Sequence, residues 1–136
     1  MELARFSLLN YHFDKVSMDL RNLSAKSSFN IEFEPSGVFD KDKSQYLLTF
    51  KFTAKDDGTG REVVSVNCVA LYMFKGVNSI EEIPAFFYNN AIAILFPYIR
   101  AFVSTVTLQA NIKPILLPTL NLSDLQDRLK ENTRNV

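Results

Sequence analysis

The chain has one cysteine, one histidine, no tryptophan and four glycines in 136 residues, and each scarcity removes a class of function. A lone thiol, Cys68, excludes an internal disulfide, and one cysteine with one histidine cannot build a Cys/His zinc site, so no metal is expected. A reducing cytoplasm suits such a chain. Gly37, Gly58, Gly60 and Gly76 form neither G-x-G-x-x-G nor a Walker A loop, so nucleotide binding has no support and no cofactor is expected. Charge of one sign is also missing. Fifteen Lys and Arg cancel fifteen Asp and Glu, which leaves no bulk basic field for nucleic acid or anionic lipid. The start, Met1-Glu2-Leu3-Ala4-Arg5, has an acid at its second position and no apolar core behind a basic start, so no secretory signal is read there.

Catalytic candidates are equally few. His12 lies in a β-patterned run, and without a G-x-S-x-G elbow an exposed strand position explains it better than a triad does. Cys68 sits between Val66 and Ala70, where a small buried hydrophobe is expected rather than a nucleophile. Asp56-Asp57 and Glu81-Glu82 fall at a turn and at a helix start, where bland roles suffice. The chain is therefore read as a binding protein and not an enzyme.

What is abundant is apolar surface. Residues 83–123 carry only Arg100 and Lys113 as formal charges, and 83–99 carry none. A membrane span would have to tolerate Pro84, Asn89-Asn90, Pro97 and Arg100 in or beside it, which is expensive in an isolated lipid-facing helix. A helix buried on most of its circumference, by either a covering sheet or another subunit, fits better, and oligomerisation is the cheaper explanation. Twelve Phe and five Tyr are more aromatic rings than a domain of this size requires, and an uncovered patch of that kind marks an interaction site.

The periodicity predicts an α+β fold over a single domain, 1–136. Strands fill about 5–75, a long helix about 83–110, and a short C-terminal helix about 123–132. Tyr46, Leu48, Phe50 and Phe52 alternate with Thr49, Lys51 and Thr53, the two-residue period of a half-buried strand. Phe29, Ile31 and Phe33 alternate likewise until Pro35-Ser36-Gly37, which is expected to end a shorter strand in a turn or bend. Leu9, Tyr11 and Phe13 are out of phase with Val16 and Met18, so a bulge or break is expected at Asp14-Lys15. Asp57-Gly58 predicts a hairpin between the strands ending near Lys55 and starting near Glu62.

The strand over 62–75 is apolar on both faces in its second half, which asks for cover on both sides. The long helix starts either at a Ser79/Glu82 capping box or at Pro84, is bent where Pro97 removes a hydrogen bond, and ends before Lys113-Pro114. Pro114 and Pro118 hold 115–119 extended. Asn121 or Ser123 caps the last helix, in which Leu122, Leu125 and Leu129 share a stripe, and residues from Glu131 onward are expected to fray.

Two proline-centred stretches resemble the SecB family of export chaperones. Ile94-Leu95-Phe96-Pro97-Tyr98-Ile99-Arg100 is similar to the family's I-L-F-P-Y-x-R segment, and Pro114-Ile115-Leu116-Leu117-Pro118-Thr119-Leu120-Asn121-Leu122 to its P-x-L-L-x-P-x-N-F segment. The resemblance implies a four-stranded antiparallel sheet followed by the Pro-bent helix and the C-terminal helix. Protomers would join edge to edge and then through the long helices, as a dimer or tetramer. It also implies an ATP-independent holdase that binds non-native polypeptides in hydrophobic grooves, in protein export or as a chaperone guarding the antitoxin of a toxin–antitoxin pair. On that basis Val38, Phe39, Leu122, Leu125 and Leu129 are candidates for client binding, with core packing the alternative for each. Ile92, Leu95, Phe96, Ile99, Phe102, Val103 and Val106 are candidates for the oligomer interface.

Three features depart from the family. The chain is neutral where members that deliver precursors to the SecA motor are strongly acidic, which puts that partnership in question. The strand half also lacks the family's tryptophan, and Gln109-Ala110-Asn111-Ile112-Lys113 has no glycine after the long helix. The competing reading is a small-ligand carrier or enzyme with a pocket between sheet and helix, for which His12, Asn67 and Tyr72 are the polar candidates. A purely structural oligomer is the third.

Overall fold

The computed structural model describes residues 5–25, 28–117 and 121–136. Strands β1 (Arg5–Met18), β2 (Phe29–Asp40), β3 (Gln45–Asp56), β4 (Glu62–Lys75) and β5 (Thr133–Asn135) form one sheet in the order β1-β4-β3-β2-β5. Helices α1 (Ala85–Gln109) and α2 (Leu122–Glu131) complete the fold, with short 3₁₀ turns at Leu20–Asn22 and Ile80–Glu82. The α+β class is as expected, and the first four strands are antiparallel.

The sheet corrects the expectation in one respect: it is mixed and five-stranded, because β5 pairs parallel to β2 where fraying was expected. The reason lies in the outer edge of β2, whose backbone groups otherwise lack partners. Gly37 N–H donates to the Asn132 carbonyl at 3.1 Å, and Val136 N–H to that of Phe39 at 3.0 Å. Farther along the same edge, the Arg128 guanidinium donates to the Phe33 carbonyl at 2.6 Å.

That edge also explains why β2 runs straight through Pro35-Ser36-Gly37 instead of stopping there. The Phe33 carbonyl and the Gly37 N–H both face the outer edge, so Pro35 between them has its missing N–H on the same side and costs the β2–β3 ladder nothing. Gly37 is required by a close approach: a Cβ there would overlap the hydroxyl and ring of Tyr46. The Tyr46 hydroxyl crosses over Gly37 to bond Thr133 Oγ1, which donates to the Leu129 carbonyl at 2.7 Å. Burial pushes the Tyr46 phenol well above its usual pKa, so it stays protonated as a bridge between the sheet and the chain end.

One face of the sheet is the core. Phe33 and Phe39 of β2, Tyr46, Leu48, Phe50 and Phe52 of β3, and Val64, Val66, Cys68, Ala70, Tyr72 and Phe74 of β4 are all buried on it. β1 joins this face only because its register shifts twice, at the expected Phe13/Lys15 step and at a second step, Leu8/Asn10. Phe6, Leu8, Tyr11, Phe13 and Val16 then oppose the inner residues of β4, while Leu9, expected to share their face, is the extra residue of a bulge and lies 46% exposed.

Helix α1 begins just after Pro84, the second of the two expected starts, with Ser79–Glu82 in the preceding turn. Its seam Phe87, Ala91, Leu95, Ile99 and Val103 recurs every four residues and is buried against the sheet. The Tyr72 hydroxyl donates to the Ala91 carbonyl at 2.8 Å, and ring pairs Phe6–Phe87, Tyr11–Tyr98 and Phe13–Phe102 lie 5.0, 4.5 and 4.1 Å apart. Strand and helix are commensurate. The rise from Phe87 to Phe102 is about 22 Å at 1.5 Å per residue, close to the roughly 20 Å of the ladder from Phe6 to Phe13, which the bulge shortens to the steps from Phe74 to Cys68 on β4 at 3.3 Å each.

The helix ends in a Schellman arrangement: Ile112 N–H donates to the Thr107 carbonyl at 3.3 Å, Asn111 N–H to Leu108 at 3.0 Å, and Asn111 takes the left-handed φ of 62°. Asparagine thereby does the work of the absent glycine, being among the few residues that tolerate this conformation. Asn121 caps α2 as expected, accepting from Asp124 N–H. Of the stretch expected to be extended, residues 118–119 lie outside those described, with 120 of the family-like motif.

The contact over Gly37 makes a testable link. Gly37→Ala should displace Tyr46 and loosen β5, costing about 1–3 kcal/mol, the usual penalty of overpacking; denaturant unfolding measures it, and hydrogen exchange should rise first at the amides of position 37 and Val136.

Candidate functional site

The segment between α1 and α2 sets the site. Among its described residues Ile115 and Leu117 are buried, whereas Leu116 between them is 69% exposed, the alternation of an extended chain lying on a surface. Thr107, fully buried, holds it there: its hydroxyl accepts from Ile115 N–H at 3.0 Å and donates to the Val103 carbonyl at 2.9 Å. The last turn of α1 thus positions the connector directly.

Two clefts flank Leu116. One, of about 350 Å³, is lined by Leu23, Phe29, Ile31, Ile112, Pro114 and Leu116 together with Ser28 and Lys113. The other, about 340 Å³, lies against α1 between Phe96, Pro97, Arg100, Ala101, Ser104 and Leu116. Both sit at the small end of ligand pockets, roughly 300–1,000 Å³, and both are mainly apolar. They can take side chains of an extended segment one or two at a time.

The wall made by the β1–β2 crossover is stitched to the β3–β4 hairpin. Asp56, 1% exposed, accepts backbone N–H bonds from Ser24 at 3.0 Å and from Gly58 and Thr59 at 2.8 Å each. Donation by Ser24 above all, against the opposing effect of burial and with help from Thr59 and Gly58, holds this carboxyl down at about 2. Thr59 Oγ1 donates to the Asn22 carbonyl at 2.7 Å, and Asn22 Nδ2 to that of Glu62 at 2.7 Å.

The client-binding candidates do not come together. Val38 lies half-buried on the outer face of the sheet, in register with Leu47 and Leu71. Phe39, Leu125 and Leu129 are 0%, 4% and 0% exposed, and Leu122 packs partly buried against the same core. Within the protomer the groove-wall expectation is therefore corrected for Phe39, Leu125 and Leu129. The α2 stripe faces inward because it is the apolar face that closes the β2 side of the core.

The interface candidates divide between the inside of the protomer and its partly exposed flank. Ile92, Leu95, Ile99 and Val103 are 0–1% exposed because they form the seam on the sheet. Phe96, Phe102 and Val106 are partly buried, Phe102 stacked on Phe13 and Phe96 against Phe33. The opposite face of α1 presents Phe86, Ile94, Tyr98 and Leu108, 51%, 37%, 43% and 59% exposed. Apolar spacing alone could not separate these faces, since α1 is apolar nearly all round.

The polar candidates for an enzyme or carrier also stay apart. His12 is exposed on the outer face, Asn67 Nδ2 donates to Asp14 there at 2.7 Å, and Tyr72 is spent on Ala91 beneath the helix. Burial pushes the Cys68 thiol up to about 11, so it is protonated at neutral pH. Leu116, Ile112 and Thr107 were not singled out from sequence. The extended conformation expected over 115–119 turns alternate residues outward, and that alternation is the signal that could have found the first.

This is an α+β protein whose described residues present two apolar clefts beside Leu116 and an apolar helix face. The chain belongs to the SecB family: the family described as preprotein translocase subunit SecB matches residues 14–132. The protein-export protein SecB of Magnetococcus marinus is 32% identical over 128 residues, covering 83% of this chain and 81% of that one. An uncharacterised protein of Methanocaldococcus jannaschii is 26% identical over 123 residues, 88% of this chain and 79% of its own length. In fold, the chain is similar to a SecB-like chaperone of Mycobacterium tuberculosis, solved in complex with a ChAD peptide from the HigA1 antitoxin. The TM-score is 0.65 at 20% identity, over 86% of this chain and 91% of that one.

Asp56 predicts how the groove wall responds to acid. Its folded pKa lies below the ordinary carboxylate value, so its contribution is full above about pH 4 and is lost as pH falls toward 2. Hydrogen exchange at Ser24, Gly58 and Thr59 should accelerate over that window in the native chain, and Asp56→Asn should show the fast exchange already at neutral pH.

Proposed function

We propose that this protein is an ATP-independent holdase that keeps non-native polypeptides extended in the clefts beside Leu116, acting in the cytoplasm with residues 1–136 as one SecB-like domain. The observation that carries the reading is the exposed Leu116, held out between two apolar clefts by a connector that Thr107 pins to the helix. A folded chain gains nothing from such an arrangement, whereas an unfolded client gains apolar burial from it, at about 25 cal/mol per Å² before the cost of ordering. Clients on an export route and an antitoxin segment are the two occupants that the relatives suggest. The neutral charge of the chain gives no reason to add SecA as a partner.

Aggregation of a chemically unfolded client, followed without nucleotide, tests the reading. The protein should suppress it in near-stoichiometric amounts. Leu116→Asp should abolish most of that suppression while leaving thermal unfolding nearly unchanged, since the side chain is already in water. Leu129→Ala is the contrasting variant: it should lose about 2–5 kcal/mol of stability, the cost of a cavity at a fully buried leucine. Unaltered suppression by Leu116→Asp would remove the site.

The outward face of α1 supports self-association. Phe86, Ile94 and the stacked Tyr11–Tyr98 pair leave aromatic surface in water that a second copy would cover. Light scattering at micromolar concentration should give a dimer or tetramer, and Tyr98→Glu should shift it toward smaller species; a monomer in the native chain would contradict this.

A further inference from the structure

The clefts beside Leu116 share a property that neither their apolar walls nor the neutral chain would suggest: among the described residues, every charge that lines them is positive. Lys113 borders the first and Arg100 the second, with no Asp or Glu lining either. Both cations are exposed, and neither is paired; the ion pairs among the described residues are Asp19–Arg21, Glu32–Lys55 and Asp124–Arg128. A third cleft, beside Phe39 and Ile80, has the opposite character, with Asp40, Asp42 and Glu81 against Lys41. A fourth, beside Phe6 and Met73, is bordered by Arg5 and Lys75; the sign thus varies from cleft to cleft over a neutral chain, and it is positive on both sides of Leu116.

Arg100 is the sole formal charge on α1, yet it stands beside Phe96, Pro97 and Ala101 rather than on a polar face. A guanidinium next to apolar surface is less screened than one in open water, and its planar fork suits a carboxylate. We infer that the paired clefts select extended client segments in which apolar side chains are flanked by Asp or Glu, with Arg100 and Lys113 setting that preference. Apolar residues seat on either side of Leu116, and the acidic neighbours meet the two cations at the cleft rims. The inference rests on the client-binding reading above and specifies the chemistry of the client.

Three labelled peptides with one apolar core, flanked by Glu, by Ser or by Lys, test it by fluorescence anisotropy on the full chain. At low salt the Glu-flanked peptide should bind about three- to tenfold tighter than the Ser-flanked one, the scale of two partly exposed ion pairs, and the Lys-flanked peptide weakest. High salt should erase the order. In the Arg100→Gln/Lys113→Gln variant the Glu-flanked peptide should fall to the affinity of the Ser-flanked one. Equal binding of all three, tighter binding of the Lys-flanked peptide, or a preference that survives the double substitution would overturn the inference. So would a change of oligomeric state in that variant without loss of the preference, since the cations would then serve a second copy. If suppression of aggregation holds while the charge order is absent, only this inference fails; if suppression and all peptide binding are absent, the holdase reading fails with it.

Discussion

Phe87 is the contact on which the fold turns. Its ring meets Phe6 of β1, Tyr46 of β3, and Tyr72 and Phe74 of β4 at 5.0, 4.8, 5.4 and 4.7 Å. Edge-on and tilted packing of this kind adds about 0.5–1.5 kcal/mol per pair beyond the area buried. More important is its place in the first turn of α1, because a helix anchored there has its direction set by the strands beneath. Ala91, Leu95, Ile99 and Val103 then fall onto the inner face in succession, and Tyr98 and Phe102 meet Tyr11 and Phe13 of β1.

Everything outside that seam is what the core leaves over. The helix has more apolar residues than one face can use, so Phe86, Ile94, Tyr98 and Leu108 remain outward. The connector has three successive apolar residues, 115–117, and an extended chain can bury only alternate ones. Leu116 is the one left out, and the clefts on either side are the gaps between connector, helix and crossover. Exposed apolar surface is costly in a monomer, and the proposed holding of unfolded chains would give it a use.

Polar groups in this structure hold positions rather than do chemistry. Thr107 satisfies the Ile115 N–H, Tyr72 reaches a helix carbonyl, Tyr46 spans a glycine to reach Thr133, and Asp56 gathers three backbone donors. Each is buried or nearly so, where an unmade hydrogen bond would cost about 1–3 kcal/mol. Thr107 and Asp56 hold the connector and the crossover that border the clefts, while Tyr72 and Tyr46 tie the sheet to α1 and to β5.

The amino-acid sequence by itself determined the class of fold, the bulge at Asp14, the hairpin at Gly58, the cap at Asn121 and membership of the family, because these are written in local periodicity, turn chemistry and a pair of proline-centred motifs. Only the tertiary structure decided which way each apolar residue faces. A helix apolar around its whole circumference has no periodicity to mark its buried side, so Leu95 and Ile94 look alike until a sheet is laid against one of them. Leu125 and Leu129 looked equally able to line a groove or close a core, and the closeness of α2 to β2 settled it. The fifth strand was hidden for the same reason: residues 133–135 pair because a parallel edge happens to lie beside them, and nothing in three residues can announce a partner almost a hundred positions away.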